Sequence, residues 1–320
     1  MSGQWIIGCD IGGTKTAVVA GGMRGEIMHR EQFATEPGRG VENVLSRIME
    51  RGASIVAQMG TPPCAVSVSV GGPLDVLRGI IKSPPNLPGW NDVPLKELLA
   101  RHFRVPVYVE HDGNAGALAE WYFGAGKGFH NIVFVTMGTG FGAGLILDGR
   151  LYRGTSDVAG EIGHVRVAED GPDCYGKRGS LEGYGSGTGI ARLARMMYPS
   201  LWDENATVIE VHDAYRRGSP EAASVFSRAA TGLGRGLAIV ADTLNPERII
   251  LGGLGMRLED ALVRPARRVF EEESLPDARR VCRVVPAGLG ETIGDVASLC
   301  AAYDQGALLG EQHAEEIRRT

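Results

Sequence analysis

The chain has 320 residues, of which 43% are hydrophobic and 22% charged, and its formal net charge is -5. Since one hydrophobic core rarely serves more than about 300 residues, we expect two domains. The negative charge provides no general attraction for nucleic acid or an anionic membrane surface. No apolar run approaches the roughly 20 residues that a bilayer-spanning helix needs. No leader-like segment precedes the first strand, and the five cysteines are scattered, so we expect a cytoplasmic location with reduced thiols.

The first hundred residues alternate between strand and helix patterns. Apolar runs predict strands at 5–9, 16–20, 26–33 and 65–70. Helix-like spacing of apolar residues predicts helices over 41–59 and 95–103, and a β-branched run predicts a strand at 105–109. This alternation is typical of an α/β domain with a mostly buried sheet.

A glycine-rich turn, GCDIGGTKT at 8–16, separates the first two predicted strands. Glycines allow backbone amides to approach a polyanion with no Cβ in the way. The candidate phosphate-binding residues are Gly12, Gly13, Thr14 and Lys15, and Asp10 is a candidate magnesium ligand. Taken alone, the same pattern is also that of a tight hairpin.

A second strand–turn–strand unit follows about 130 residues later. Its predicted strand at 131–137 leads into a glycine turn at 138–144, with Gly138, Thr139 and Gly140 as candidate phosphate-binding residues, and then into a strand at 145–147. Two such units indicate a duplicated fold whose halves both face one nucleotide.

The rest of the second half is predicted to be largely helical. Helical patterns at 207–217 and 219–244 precede a buried strand at 248–251, which runs into Gly252 and Gly253. A last helix at about 295–309 is expected to pack back on the body, with frayed polar residues from Glu311 onward.

The segment VEHDGNA at 109–115 carries the candidate catalytic residue, Asp112. It lies where a buried strand ends and a helix-forming run begins, at the carboxyl edge of the sheet, and open α/β folds bind ligands there. Asp112 can therefore act as a general base toward a hydroxyl that receives a phosphoryl group. An N-cap carboxylate is the alternative role, and the two are compatible.

Polar side chains also collect in three further segments. Asn86 lies in the proline-rich loop SPPNLPGW at 83–90, Glu161 and His164 lie in GEIGH at 160–164, and Glu182 follows a glycine-rich span. Amide, carboxylate and imidazole groups together suit a polyhydroxylated ligand, since each hydroxyl both donates and accepts hydrogen bonds. Taken singly, His164 is also typical of a structural histidine, and Glu182 of a solvated charge.

Together these motifs resemble the ROK family of bacterial sugar kinases, in the actin/hexokinase/Hsp70 ATPase superfamily, over nearly the whole chain. The motifs that carry the resemblance are DIGGTK at 10–15, NLPGW at 86–90, EHD at 110–112, GTGFG at 138–142, AGEIGH at 159–164, LNPE at 244–247 and LGG at 251–253. The resemblance implies an α/β, duplicated ribonuclease H-like (actin-like ATPase) fold with two domains around a cleft. A small N-terminal domain at 1–111 is joined by the C-terminal helix at about 295–320, and the large domain spans 112–294. A homodimer is implied as well.

The resemblance also assigns roles. Both glycine turns hold the phosphates of ATP and its magnesium, which Asp10 contacts through water or phosphate, and Gly252 and Gly253 lie near the adenosine. Asp112 is the base that activates the sugar hydroxyl. The sugar-binding residues are Asn86, His111, Asp112, Glu161, His164 and Glu182.

Two departures from the family pattern stand out. His111 occupies a position where relatives usually carry Asn; imidazole is larger and titrates near neutrality. The family commonly binds a structural zinc through a His and three cysteines, but the corresponding stretch here keeps Cys174 and has Ser180 where the last thiolate is expected. Since His164 and Cys174 cannot complete a tetrahedral site, we expect no structural zinc.

The sequence therefore predicts an ATP-dependent hexose 6-kinase, with glucose as the first choice of sugar and a glucokinase-like activity. An N-acetylglucosamine or N-acetylmannosamine kinase, or a kinase tolerant of mannose and fructose, is the alternative. A sugar sensor without catalysis and a polyphosphate-using kinase are further alternatives. A sugar-responsive repressor is disfavoured, because the first strand starts by Trp5 and the chain has no basic footprint.

Overall fold

The computed structural model describes residues 4–306 and 308. The strands are β1 (Trp5–Ile11), β2 (Lys15–Gly22), β3 (Ile27–Ala34), β4 (Ala65–Val70), β5 (Leu74–Asp75), β6 (Ile80–Ile81), β7 (Val107–His111), β8 (Ile132–Met137), β9 (Phe141–Leu147), β10 (Arg150–Leu151), β11 (Asp173–Cys174), β12 (Lys177–Arg178), β13 (Arg248–Leu251) and β14 (Arg283–Pro286). The helices are α1 (Val41–Met59), α2 (Leu95–Phe103), α3 (Asp112–Phe123), α4 (Leu181–Gly185), α5 (Gly187–Met197), α6 (Val208–Arg216), α7 (Pro220–Leu244), α8 (Leu254–Arg257), α9 (Arg264–Glu273), α10 (Pro276–Val281) and α11 (Ile293–Gln305).

The chain forms two compact units. Unit 1 comprises the described residues up to Gly128 together with those from Glu291 onward, and unit 2 comprises Phe129–Gly290. The expected division between residues 111 and 112 therefore falls inside unit 1, because α3 is almost wholly buried and packs against α11. The expected frayed tail from residue 311 lies outside the described residues.

Unit 1 is built on a five-stranded sheet of order β3-β2-β1-β4-β7. The first two strands pair antiparallel with their neighbours, whereas β1, β4 and β7 are parallel. Every residue of β4 is buried, as expected for a central strand that is covered on both faces. The amphipathic helix α1 buries its apolar stripe against this sheet, at the position that the sequence predicts.

Unit 2 repeats this plan with a five-stranded sheet of order β10-β9-β8-β13-β14. As in unit 1, the first two pairs of neighbouring strands, β10–β9 and β9–β8, are antiparallel, whereas β8, β13 and β14 are parallel. Its core forms where α7, which is 25 residues long, and neighbouring helices pack on the sheet. The repeated strand order confirms the duplication that the two glycine turns predict.

The second glycine turn is shorter than the sequence suggests. Its strand β9 begins at Phe141, so that Gly142 and Gly144 are paired with β8 and do not belong to the turn. A Cβ on Gly160 would lie 2.2 Å from the Ala143 carbonyl oxygen, which shows how closely the next segment covers this strand. Glycine is therefore required at Gly160, both by this close packing and by its φ of 98°.

Among residues 4–306, every helix is too short or too polar to cross a lipid bilayer.

Candidate active site

The first glycine turn lies between β1 and β2 in unit 1. The Gly12 N–H donates to the Lys15 carbonyl across 3.0 Å, which closes the turn, while Thr14 and Lys15 are exposed. A Cβ on Gly13 would lie only 2.7 Å from the carbonyl oxygen of Asn86. The structure therefore brings Asn86 and the turn together, and only glycine permits this approach.

Thr35 stabilises this turn through hydrogen bonds to two of its carbonyl groups, and the sequence analysis did not identify it. Its hydroxyl donates to the Gly12 carbonyl at 2.6 Å, and its backbone N–H donates to the Thr14 carbonyl at 2.9 Å. The Thr16 hydroxyl lies 2.9 Å from the Thr35 hydroxyl, and both threonines are fully buried. Thr35 follows β3 directly, so its only sequence signal was a threonine at a strand end.

Asp10 lies in a cluster of carboxylates at the end of β1. Burial, followed by the negative charges of Asp112 and Asp295, raises the pKa of Asp10 to about 7, against the opposing effects of a Ser69 hydrogen bond and Arg30. A Cβ on Gly294 would lie 2.8 Å from Asp10 Oδ2, so α11 begins against this carboxylate. The arrangement concentrates negative charge where a cation is expected.

Asp295 is a second residue that the sequence analysis missed. It lies in the first turn of α11, and its Oδ2 accepts a hydrogen bond from Arg30 Nε at 2.7 Å. Its side chain is 14% exposed. The GD pair at 294–295 gave no signal by itself, because the packing of α11 against β1 is what brings it to Asp10.

Asp112 is the first residue of α3, directly after β7, as expected. Its Oδ1 accepts a hydrogen bond from the Gly113 N–H at 2.7 Å, and the side chain is 48% exposed. The carboxylate thus satisfies a helix-end amide and still faces solvent. Both roles predicted for this position, helix capping and proton acceptance, are compatible with the geometry.

His111 lies beside this carboxylate. Its Nδ1 accepts a hydrogen bond from the Gly113 N–H at 3.3 Å and lies 3.2 Å from Asp112 Oδ1. A Cβ on Gly72 would lie 2.8 Å from the imidazole Cδ2, so the ring is held against the loop after β4. Glu110, which is fully buried, accepts a hydrogen bond from the His111 N–H at 3.0 Å.

The second glycine turn lies at the start of α5 in unit 2. The Gly138 carbonyl accepts a hydrogen bond from the Gly187 N–H at 2.8 Å, and the Gly138 N–H donates to the Gly140 carbonyl at 3.0 Å. Ser186 caps α5 by accepting a hydrogen bond from the Gly189 N–H at 2.9 Å. The N-terminus of an 11-residue helix therefore adjoins the turn, and its dipole favours an anion there.

A cavity of about 650 Å3 opens beside this turn. Its wall combines the turn with polar and apolar residues of α5, α6 and α8, among them Gly138, Thr139, Thr188, Arg192, His212 and Leu254. Gly252 and Gly253 are not part of the lining. Instead, a Cβ on Gly253 would lie 2.2 Å from the Met137 carbonyl oxygen, so this glycine lets α8 start against the end of β8.

Three predicted sugar-binding residues lie close together in unit 2. Glu161 Oε2 is 3.9 Å from His164 Nε2, and both side chains are about half exposed, at 47% and 49%. A Cβ on Gly163 would lie 3.6 Å from the Glu182 Cβ. Burial raises the pKa of Glu182, against a backbone hydrogen bond from Phe141 and the opposing effect of His164. The cluster offers carboxylate acceptors and an imidazole to a polar ligand.

The segment that replaces the family's zinc-binding stretch forms the hairpin β11–β12. Cys174 is buried, and burial raises the pKa of its thiol. Arg192 donates to the Asp173 carbonyl at 2.7 Å and lies 3.9 Å from Cys174 Sγ. Within the described residues, no group of three His, Cys, Asp or Glu side chains is arranged to hold a metal ion.

Known proteins match this chain over most of its length. The family model "ROK family" matches residues 6–300. A glucokinase of Halalkalibacterium halodurans is 32% identical, over 92% of this chain and 93% of its own. The crystal structure of a ROK family glucokinase from Streptomyces griseus, in complex with glucose and AMPPNP, is 32% identical, with a TM-score of 0.78 over 94% of this chain and 99% of that one.

A regulator is also among the similar proteins. The DNA-binding transcriptional repressor Mlc of Escherichia coli is 32% identical to this chain. The match covers 66% of this chain and 54% of the repressor. The kinase matches cover nearly the whole of both chains.

These comparisons agree with the duplicated strand order and confirm the actin-like ATPase fold that the sequence motifs imply. The chain belongs to the ROK family.

Proposed function

We propose that the protein is a sugar kinase that transfers the γ-phosphoryl group of ATP to the 6-hydroxyl of glucose. The glucokinase relatives, which match over nine-tenths of their length at 32–33% identity, support the class of sugar kinase. The relative that was crystallised with glucose and an ATP analogue supports the pair of substrates.

The observation that carries the proposal is the pair of carboxylates in unit 1. The parallel strands β1 and β7 flank β4, and Asp10 and Asp112 lie at the same edge of the sheet, close enough for Asp112 to raise the pKa of Asp10. One carboxylate suits a cation and the other, half exposed, suits a substrate hydroxyl. Sugar binding alone does not require the carboxylate that is suited to a cation.

In this proposal Asp112 accepts the proton of the 6-hydroxyl as the phosphoryl group arrives. The Gly113 N–H fixes Oδ1, so the carboxylate keeps one orientation. Phosphoryl transfer has a loose transition state, and positioning with charge neutralisation is the main source of rate enhancement. The backbone amides of both glycine turns and the exposed Lys15 are suited to this neutralisation.

The residues around Asp10 fit Mg2+. Burial, followed by the negative charges of Asp112 and Asp295, raises the pKa of this carboxyl, and a bound cation would offset both effects. Mg2+ typically uses one or two carboxylates together with phosphate oxygens and water. Asp10 would hold the ion directly or through water. When bound, the ion neutralises charge on the phosphate oxygens.

The sugar is selected by polar groups that pair with its hydroxyls. Glu161, His164 and Glu182 lie together in unit 2, while Asn86 and His111 are proposed sugar contacts in unit 1. A site that pairs a given hydroxyl rejects sugars lacking it by up to ~10⁴–10⁵. Glucose is proposed from the glucokinase relatives, and N-acylhexosamines, mannose and fructose are the competing substrates. From the family resemblance we also propose that the protein is a cytoplasmic homodimer.

The test is a panel of hexoses assayed with ATP and Mg2+. We expect glucose to have the highest kcat/KM by at least tenfold. A different winner would replace glucose and leave the kinase assignment intact, whereas no transfer to any hexose would refute the kinase. Repeating the assay with polyphosphate in place of ATP identifies the donor, and ATP binding without turnover would indicate a sensor.

A further inference from the structure

The hairpin β11–β12 carries an aromatic side chain whose backbone conformation is unfavourable for it. Tyr175 and Gly176 form its two-residue loop, with φ of 51° and 72°. Two positive φ values define a type I′ turn, in which the first position strongly prefers Asn, Asp or Gly. A bulky residue is strained in that conformation. Local folding therefore does not account for a tyrosine at this position.

The Tyr175 ring lies beside the proposed sugar residues. Its centroid is 5.5 Å from that of the His164 ring, with the two planes tilted by 41°. The side chain is 58% exposed. Burial, followed by the charges of Glu182, Cys174 and Glu161, raises the pKa of its phenol, so both sugar-binding carboxylates are near it.

Hydrogen bonds hold the hairpin on both sides of Tyr175. Lys177 Nζ donates to the His164 carbonyl at 2.7 Å, and the Gly176 N–H donates to Asp173 Oδ1 at 3.0 Å. Arg192 donates to the Asp173 carbonyl, as described above. These bonds hold the hairpin, and with it the backbone of Tyr175, in place relative to His164.

We propose that Tyr175 is a further substrate-contacting residue, whose ring packs against the apolar C–H face of the hexopyranose next to Glu161, His164 and Glu182. A pyranose presents hydroxyls at its rim and C–H groups on its faces, so a site needs an apolar surface as well as hydrogen-bonding groups. An exposed aromatic ring beside carboxylates supplies that surface. The inference rests on the proposed function and adds to its sugar subsite.

The test replaces the ring without harming the hairpin. Tyr175→Asn creates Asn-Gly, the preferred type I′ pair, so we expect the protein to be at least as thermally stable as the wild type. At the same time we expect the KM for glucose to rise roughly tenfold, with kcat and the KM for ATP within about twofold, as loss of an aromatic contact implies. Tyr175→Phe keeps the ring and should stay within about twofold of wild type.

Two controls separate a contact from a structural effect. Tyr152→Ala removes another exposed tyrosine of unit 2 and should change no kinetic constant. Tyr175→Gly also suits a positive φ and should reproduce the kinetics of the Asn variant. An unchanged glucose KM in both ring-less variants of an active enzyme would refute the inference. Failure of the wild type to phosphorylate any hexose would refute the proposed function instead.

Discussion

The carboxylate of Asp10 should reduce the stability of unit 1 at neutral and alkaline pH. Its pKa is raised from the ordinary value of 3.8 to about 7, which means that the folded protein holds the proton more tightly than the unfolded chain. Protonated Asp10 therefore makes its full contribution to the free energy of unfolding below pH 3.8, and this contribution is lost as the pH rises through 7. A shift of about three units corresponds to about 4 kcal/mol at pH 8, to within a factor of two.

Asp10→Asn removes the charge and keeps an oxygen for the Ser69 hydrogen bond. We expect the variant to be more stable than wild type by about 4 kcal/mol at pH 8 and by less than half of that at pH 5. Activity should be lost, since the proposed magnesium ligand is gone. Functional residues commonly carry such a stability cost.

The measurement is urea unfolding in EDTA, followed by tryptophan fluorescence. Three of the four tryptophans, Trp5, Trp90 and Trp121, lie buried in unit 1, so Trp202→Phe makes the signal specific to that unit. Asp277→Asn, at a side chain that is 86% exposed, controls for net charge. The reasoning is wrong if Asp10→Asn gives no gain at pH 8, or the same gain at both pH values.

Three further predictions concern the base, the close packing at Gly253 and the first glycine turn. Asp112→Ala should lower kcat by ~10²–10⁴-fold while the calorimetric Kd for glucose stays within a few fold, and near-normal turnover would exclude Asp112 as the base. Gly253→Ala should lower Tm more than Gly290→Ala: both glycines have φ of 58°, but only Gly253 has a backbone oxygen 2.2 Å from its would-be Cβ. Equal losses would mean that packing adds nothing to the φ strain. Thr35→Val should cost about 1–3 kcal/mol and raise the KM for ATP, because the Gly12 carbonyl loses its buried donor, whereas Thr35→Ser should restore both.

Local features of unit 1 followed closely from the sequence. The helix over 41–59, the strand at 65–70 and the helix over 95–103 have the predicted bounds. Each has a strong apolar period or a fully apolar run, and neighbouring residues alone determine such patterns. Predicted strand ends were less accurate: β7 was expected to end at residue 109 and runs to His111.

The first glycine turn was also readable, because GGTK between two apolar strands requires a tight reversal. The second was predicted to extend to residue 144, although β9 already begins at Phe141. Gly142 and Gly144 are paired with β8, and no local pattern distinguishes glycines of a strand from glycines of a turn. At Tyr175 a turn does form, although its positive φ disfavours a tyrosine at that position.

The sequence by itself determined the order of the main strands and helices of unit 1, the presence of two glycine turns, and the placement of Asp10 and Asp112 at strand ends. These features depend on periodicity and on residues adjacent in the chain. Only the tertiary structure decided that Thr35 fastens the first turn, that Asp295 joins the Asp10 cluster and that Tyr175 lies beside His164. Partners that are distant in sequence meet only when whole strands and helices have packed. Their contacts depend on strand register and helix placement, which the residues around each position do not specify.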